Sequence, residues 1–341
     1  MSREQVLKKL GYETPIKRQK RVIIHSDIAN EADDVYAIMH HLLTPSEDVL
    51  GIIAAHHEYT ASILPEVARK QGMTLDEFLE VMKLQGAADT MIPRGESMQF
   101  NYEAGKRLLQ LADMEEIPLY QGSRYELQSR QDLPDSPGAD FIIEEALKED
   151  ERPLYIALQG SITDLAIAYK KQPEIAKHLT AIWIGGGAYP DGADGDFNMR
   201  QDVVAARVVM ESDIPLWQIP SNVYASMETS LAELNCRVRP FGKLGEYLVD
   251  QLQKINILRG NTFPGEWPHG ESWCLGDNPC VSVLLEGGAR KDYHLEDAPV
   301  IGDDLSYVGR IPDRKIRVYD SVDVRLTLED FFSKMQLCYG K

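Results

Sequence analysis

The stretch from Arg21 to Met39 constrains the fold most, because a β-branched apolar run leads into a cluster of acids and then into a helical pattern. Val22, Ile23 and Ile24 form a run typical of a buried strand in a parallel sheet. The apolar residues from Val35 to Leu42 recur at helical spacing. The stretch therefore predicts a strand, a short loop and a helix, which is the first unit of an α/β fold.

The loop of this unit carries four acidic residues, Asp27, Glu31, Asp33 and Asp34. In open α/β sheets the loops beyond the carboxyl ends of the strands form the ligand crevice. Crowded carboxylates repel each other unless a cation joins them, and dense oxygen ligands suit calcium or magnesium better than zinc. The alternative is that Asp33 and Asp34 only stabilise the positive N-terminal end of the helix.

The composition is that of a globular chain of enzyme size, with 341 residues, 43% of them hydrophobic and 26% charged. No linker or low-complexity run divides it, so we expect a single domain over residues 1–341. Residues 1–20 read as a polar N-terminal extension without a secretion signal or membrane anchor. The four cysteines show no metal or disulfide spacing, which favours a reducing, cytoplasmic location.

The formal net charge of −18 disfavours binding to nucleic-acid backbones and to anionic membranes. A small neutral or cationic substrate fits this charge better. Neither GxGxxG nor a P-loop sequence occurs between a strand and a helix, so nucleotide phosphate binding is not supported.

Polar residues also follow the later strands. The apolar run 49–55 ends in His56, His57 and Glu58, which we interpret either as catalytic groups or as a hydrogen-bonded loop. The run 154–158 leads into residues 159–164, where Ser161 and Asp164 predict a capping box. The run 181–184 ends in three glycines, and the acidic loop that follows is a plausible surface for binding hydroxyl groups.

Five segments, in this order, resemble the inosine-uridine-preferring nucleoside hydrolases over most of residues 21–285. The chain has DIANEADD at 27–34, similar to DPGxDD but about two residues longer, and QGSITDLAIAY at 159–169, similar to GPLTNLALA. IWIGGG at 182–187 resembles an MGG turn, DFN at 196–198 resembles EFN, and LGDNPC at 275–280 resembles HDPC. The resemblance implies a Rossmann-like, mostly parallel α/β sheet, a calcium ion at its C-terminal edge, and hydrolysis of the N-glycosidic bond of ribonucleosides.

Residue roles follow from the same resemblance. Asp27, Asp34, Asp277 and the carbonyl of Thr163 match the calcium ligands, and Asp33 matches the general base. Asp196 and Asn198 match positions that hold sugar hydroxyls. The expected partners are a small nucleoside substrate and further copies of the chain in a homo-oligomer, with no nucleic acid and no membrane.

The departures concern the side that would bind the base. Gly276 stands where many members have histidine, a candidate proton donor, and Ile184 replaces methionine. His56, His57 and Glu58 occupy the place of an asparagine. We therefore predict that His57 protonates the leaving base, with His56 and His269 as alternatives. The remaining predicted pocket residues are His56, Glu58, Ile184 and Trp273, with Trp267, His269 and Tyr189 as further wall candidates, although each aromatic could equally be simple packing.

Two other classes compete with this interpretation. Metal-dependent phosphohydrolases also begin with an acidic loop after a strand, but they commonly use an aspartate nucleophile with a downstream lysine, and no such set is visible. The other is a calcium-dependent nucleoside or sugar binder on a degenerate hydrolase fold. Retention of Asp33 argues against it, since a binder needs no base.

Overall fold

The computed structural model describes residues 2–84, 92–192, 195–262, 270–285 and 292–340. The strands in these residues are β1 Lys20–Ser26, β2 Glu47–Ala54, β3 Leu119–Gln121, β4 Leu154–Gln159, β5 Leu179–Ile184, β6 Leu216–Ile219, β7 Glu228–Ser230, β8 Ser272–Cys274, β9 Tyr293–Ile301 and β10 Tyr307–Tyr319. The helices are α1 Arg3–Leu7, α2 Asp34–Leu42, α3 Glu58–Lys70, α4 Leu75–Leu84, α5 Ser97–Leu111, α6 Pro137–Ala146, α7 Thr163–Lys171, α8 Phe197–Gln201, α9 Val203–Glu211, α10 Ser221–Tyr224, α11 Leu231–Arg237, α12 Gly242–Thr262, α13 Pro279–Leu285 and α14 Val324–Tyr339.

Eight strands form one sheet in the order β3-β2-β1-β4-β5-β6-β10-β9, and β7 pairs with β8 in a separate ribbon. All neighbours in the large sheet are parallel except β9, which runs antiparallel to β10. The sequential order reverses between β1 and β4, so the crevice beyond these two strands is the topological switch point at which open α/β sheets bind ligands. The predicted mostly parallel α/β sheet is confirmed.

Hydrophobic side chains cover both faces of the sheet, because successive residues of a strand point to opposite sides. Val22 and Ile24 of β1 belong to a core shared with α2, α12 and α14. Ile23 of the same strand belongs to the opposite core, shared with α6, α7 and α9. Burial of β1 on both faces explains why its sequence is a continuous apolar run rather than an alternating one.

The polar N-terminal segment packs against the rest of the fold. Val6 and Leu10 are buried in the first of these cores. The Arg3 guanidinium donates hydrogen bonds to the carbonyl oxygens of Leu42, Thr44 and Glu47 at 2.8 to 3.0 Å, just beyond the C-terminal end of α2. The segment thus braces the helix whose other end carries the acidic loop. None of the helices in the described part of the chain is long and apolar enough to cross a membrane.

Candidate active site

Three carboxylates converge at the switch point. One side-chain oxygen each from Asp33, Asp34 and Asp277 lies within 4.8 Å of the others. Asp33 and Asp34 come from the start of α2, and Asp277 comes from the turn before α13, which the β7–β8 ribbon brings to the same edge of the sheet. Asp33 occupies the N-cap position of α2, but its side chain makes no capping hydrogen bond. Its carboxylate is therefore not used as an N-cap acceptor for α2.

Asp27 lies beside this group, against the loop that follows β4. Its Oδ2 accepts a hydrogen bond from Asn30 Nδ2 at 2.8 Å. A Cβ atom placed on Gly160 would approach Asp27 Oδ1 to 2.3 Å, well inside contact distance. Glycine at position 160 is thus what lets the two loops of the switch point meet.

Burial dominates the electrostatics of the acids. Burial raises the pKa of Asp27 to about 7 and that of Asp33 to about 6, although backbone N–H groups of Asp277 and Gly276 act in the opposite direction on Asp33. Burial raises the pKa of Asp34 well above its usual range, followed by the charges of Asp27 and Asp33. The pKa of Asp277 is raised well above its usual range by the same causes. The cluster therefore resists carrying its full negative charge unless a cation is present.

The residues present fit a divalent cation. No lysine or arginine forms an ion pair with Asp27, Asp33, Asp34 or Asp277 in the residues that the structure describes. All of the offered side-chain donors are carboxylate oxygens, which hard cations such as calcium and magnesium prefer.

Gln159 adds to this fit. It ends β4 opposite Ser26, whose hydroxyl donates to Asp34 Oδ1. Both amide atoms of Gln159 are buried without a protein hydrogen-bond partner. Because an unpaired buried amide costs free energy, a small polar ligand bound at this edge of the sheet would satisfy the Gln159 side chain.

Thr163 begins α7 and connects three loops. Its hydroxyl donates to Asp202 Oδ2 at 2.8 Å and therefore accepts a hydrogen bond from His56 Nε2, also at 2.8 Å. His56 Nδ1 faces the backbone N–H of Glu58 at 3.4 Å. Both ring nitrogens of His56 are thus engaged within the protein, and burial lowers its pKa to about 4. His56 is held here as a neutral structural histidine rather than aimed at a substrate.

His57 and Glu58 are both buried at the tip of β2. Glu58 accepts hydrogen bonds from the backbone N–H of Gly95 at 2.7 Å and from the hydroxyl of Ser97. Ser97 also accepts a hydrogen bond from the backbone N–H of His57 at 3.1 Å. Glu58 therefore anchors the start of α5.

Asp196 and Asn198, the predicted sugar-binding residues, are both held by hydrogen bonds within the protein. Asp196 accepts hydrogen bonds from the backbone N–H of Met199 and from the hydroxyl of Tyr224, both at 2.7 Å. Burial and the charge of Asp196 raise the pKa of Tyr224 well above its usual range, so the phenol remains a donor. Asn198 donates to the carbonyl oxygen of Ile184 at 2.9 Å, which ties the loop to the end of β5.

Tyr224 also accounts for one departure of the sequence. A Cβ atom on Gly276 would lie 3.2 Å from the Tyr224 ring and 3.4 Å from Asp33 Oδ2. The ring thus crowds the space that a side chain at 276 would need. Trp273, in β8, is fully buried and packs in the hydrophobic core. Trp267 and His269 lie outside the described residues.

The family of the chain follows from comparison with known proteins. The profile of the inosine-uridine preferring nucleoside hydrolases matches residues 22–326. The chain belongs to this family. The predicted family is confirmed, and with it the predicted class of enzyme, a nucleoside hydrolase.

Individual relatives are distant. A purine-preferring ribonucleoside hydrolase from Gardnerella vaginalis superposes with a TM-score of 0.66 at 19% identity, over 94% of this chain and 99% of that one, which supports the shared fold. A probable uridine nucleosidase of Arabidopsis thaliana is 22% identical over 64% of this chain and 69% of its own length. An uncharacterised protein of Schizosaccharomyces pombe is 22% identical over 62% of this chain, and the match spans 64% of that relative.

Two residues that contact the predicted site residues, Tyr224 on α10 and Asn101 on α5, carry no recognisable motif in the sequence. The predicted capping box at Ser161 and Asp164 is wrong. Ser161 and Asp164 form no capping box, because Ile162 is the N-cap of α7 and makes no side-chain bond. The Asp164 carboxylate instead accepts hydrogen bonds from His25 Nε2 at 2.7 Å and from the Ser123 N–H at 2.7 Å.

Proposed function

We propose that this nucleoside hydrolase family member cleaves the N-glycosidic bond of a ribonucleoside, giving the free base and ribose, with calcium bound by Asp27, Asp34, Asp277 and the carbonyl of Thr163. The observation that carries the proposal is the convergence of Asp33, Asp34 and Asp277 within 4.8 Å at the switch point of the sheet. When bound, calcium would supply the positive charge that orients the ribose hydroxyls and makes a nearby water a stronger acid.

The chain's own residues have distinct roles in this proposal. Asp33, with a pKa raised to about 6 by burial, is suited to accept a proton from the attacking water near neutral pH. Asp196 and Asn198 face the sugar hydroxyls. The surrounding carboxylates favour the positive charge that develops on the sugar as the bond to the base breaks. His57 donates to the leaving base.

The base preference is open to direct measurement. Relatives named for purine nucleosides and for uridine both resemble this chain, so neither class is favoured over the other. A panel of purine and pyrimidine ribonucleosides, followed by an assay for reducing sugar with calcium present, tests the proposal. We expect release of ribose from at least one of them, and Asp33→Asn serves as the inactive control.

The panel also separates the competing classes. Cleavage of a generic phosphate ester without ribose release would identify a phosphohydrolase. Calcium-dependent binding of nucleosides without turnover would identify a binder, and either result would refute the proposal. We further expect a cytoplasmic homo-oligomer, which light scattering coupled to size-exclusion chromatography would test.

A further inference from the structure

Asn101, in the second turn of α5, links the acidic loop to the tip of β2. Its side chain is completely buried. Its Oδ1 accepts a hydrogen bond from the backbone N–H of Ala29 at 3.0 Å. Its Nδ2 lies 2.7 Å from the carbonyl oxygen of Ala55 and 3.0 Å from His57 Nδ1.

These backbone partners fix the orientation of the amide group. The N–H of Ala29 can only donate and the carbonyl of Ala55 can only accept, so the oxygen of Asn101 faces Ala29 and its nitrogen faces Ala55. The reversed amide would oppose two donors at one end and two acceptors at the other. The atom that faces His57 is therefore the amide nitrogen, which can donate but cannot accept.

The orientation determines where His57 carries its proton. His57 Nδ1 has to accept the hydrogen bond from Asn101, and a neutral imidazole carries its single proton on the other nitrogen. A proton on Nδ1 would point at the N–H of Asn101. From this geometry we infer that Asn101 is a positioning residue that holds His57 as the neutral Nε2–H tautomer, with Nε2 as the atom that donates to the leaving base. The inference rests on the proposed function for its catalytic meaning.

The same helix also holds the backbone of His57. Ser97, one turn before Asn101, accepts a hydrogen bond from the backbone N–H of His57 at 3.1 Å. Through Ala29, Asn101 holds the loop in which Asn30 donates to Asp27 at 2.8 Å. One buried amide thus couples the placement of the leaving-group donor to the acidic loop. The ligand edge that this donor recognises is a base nitrogen or carbonyl oxygen with a free lone pair.

The first test needs no substitution and no turnover. Protein labelled with nitrogen-15 at histidine is studied by long-range proton–nitrogen correlation at neutral pH, and His57 is assigned from the signals missing in His57→Gln. We expect His57 Nδ1 to resonate as an unprotonated nitrogen and Nε2 as a protonated one. A protonated Nδ1 in the wild-type chain would overturn the inference.

Two variants then test Asn101 itself. Asn101→Leu removes the donor at similar volume, so both tautomers of His57 should become populated. Asn101→Asp replaces the donor by an acceptor and should bring a proton onto Nδ1. Gln110→Leu, at an exposed position of the same helix, is the matched control and should leave the spectrum unchanged. If both Asn101 variants kept the wild-type pattern, Asn101 would not set the tautomer.

Kinetics show whether the tautomer matters for the reaction. Loss of a positioned proton donor typically costs about 100-fold in rate. We expect Asn101→Leu to lower kcat on nucleosides by up to about 100-fold. On p-nitrophenyl riboside, whose leaving group needs no proton, kcat should change little. Equal loss on both substrates would refute the role in leaving-group donation. A chain with the expected tautomer but no nucleoside turnover would refute the proposed function and leave the proton placement intact.

Discussion

Without an ion in the proposed calcium site, the buried acids should lower the stability of this protein as the pH rises, which is the reverse of the usual effect of acidic groups. Asp27 has a pKa raised by burial to about 7, against 3.8 in the unfolded chain, and Asp33 has one raised to about 6. Between pH 3.8 and 7 the folded state therefore binds more protons than the unfolded state. The metal-free protein should lose stability as the pH rises through this window.

The magnitude follows from the displacement of each pKa. At about 1.4 kcal/mol per tenfold change, ionising Asp27 in the fold costs about 4 kcal/mol and ionising Asp33 about 3 kcal/mol. Each value is a large part of the roughly 5 to 15 kcal/mol that stabilises a typical domain. Calcium at 100 times its Kd would add about 2.7 kcal/mol by binding the folded state alone.

Urea denaturation followed by circular dichroism, with chelator or with calcium at several pH values, measures this. The buried neutral His56 changes stability in the opposite sense over this range, with or without calcium, so the two curves have to be compared. We expect the gain in stability from calcium to be larger at pH 7.5 than at pH 5. Asp34→Asn should stabilise the chelated protein at pH 7.5, because the amide needs neither to be protonated nor to carry a charge in the buried cluster, and should abolish the gain from calcium. The exposed Asp76→Asn is the control and should behave as the wild type.

One outcome would refute this reasoning. If calcium changed the urea midpoint at neither pH, the acids would not form an ion site. A gain from calcium that survives in Asp34→Asn would place the ion elsewhere.

Three further predictions follow from single residues. Asp33→Asn should lower kcat by about 100-fold or more, since an amide accepts no proton, while calorimetry finds calcium affinity within a few-fold; near-normal turnover would contradict its role. Gly160→Ala should weaken calcium binding and lower Tm, because its Cβ would lie 2.3 Å from Asp27 Oδ1, whereas Gly309→Ala, whose Cβ would meet its nearest neighbour at 3.7 Å, should not. His56, with a pKa lowered by burial to about 4, should cost about 3 kcal/mol of stability as the pH falls from 6.5 to 4, because the unfolded chain takes up the proton first. Urea titrations of His56→Gln should lack that loss, and an unchanged acid dependence would count against a buried neutral histidine.

Strands and helices whose apolar residues recur at a regular spacing could be predicted from the sequence. The strand and helix around the acidic loop are present as β1 and α2. The spacing of Thr74 and Glu77 also predicts a capping box, and the structure has it at the start of α4, where Glu77 accepts from the Thr74 N–H at 2.8 Å. The sequence gives no comparable signal for the start of α5 at Ser97, because its N-cap residue Glu96 makes no side-chain hydrogen bond.

The site was harder to predict, because hydrogen bonds over long sequence distances decide it. Position 164 carries aspartate where the family pattern has asparagine, and only the fold brings it to His25, 139 residues earlier. The roles of Tyr224 and Asn101 likewise depend on partners from distant elements. The sequence of a histidine pair at a strand tip does not show which partners each ring has inside the protein. In this structure His56 donates to the Thr163 hydroxyl.

The packing of α1 has a consequence for the order of folding during synthesis. Lys9 Nζ donates to the carbonyl oxygen of Cys338 at 2.6 Å, a contact that joins α14 to the segment after α1 across 329 residues. The segment that braces α2 through Arg3 is therefore synthesised well before its neighbour α14, since the two contacting residues are 329 positions apart. Ribosome-bound chains stalled before Val324 should leave the N-terminal segment open to protease, and its protection should appear only when α14 is released.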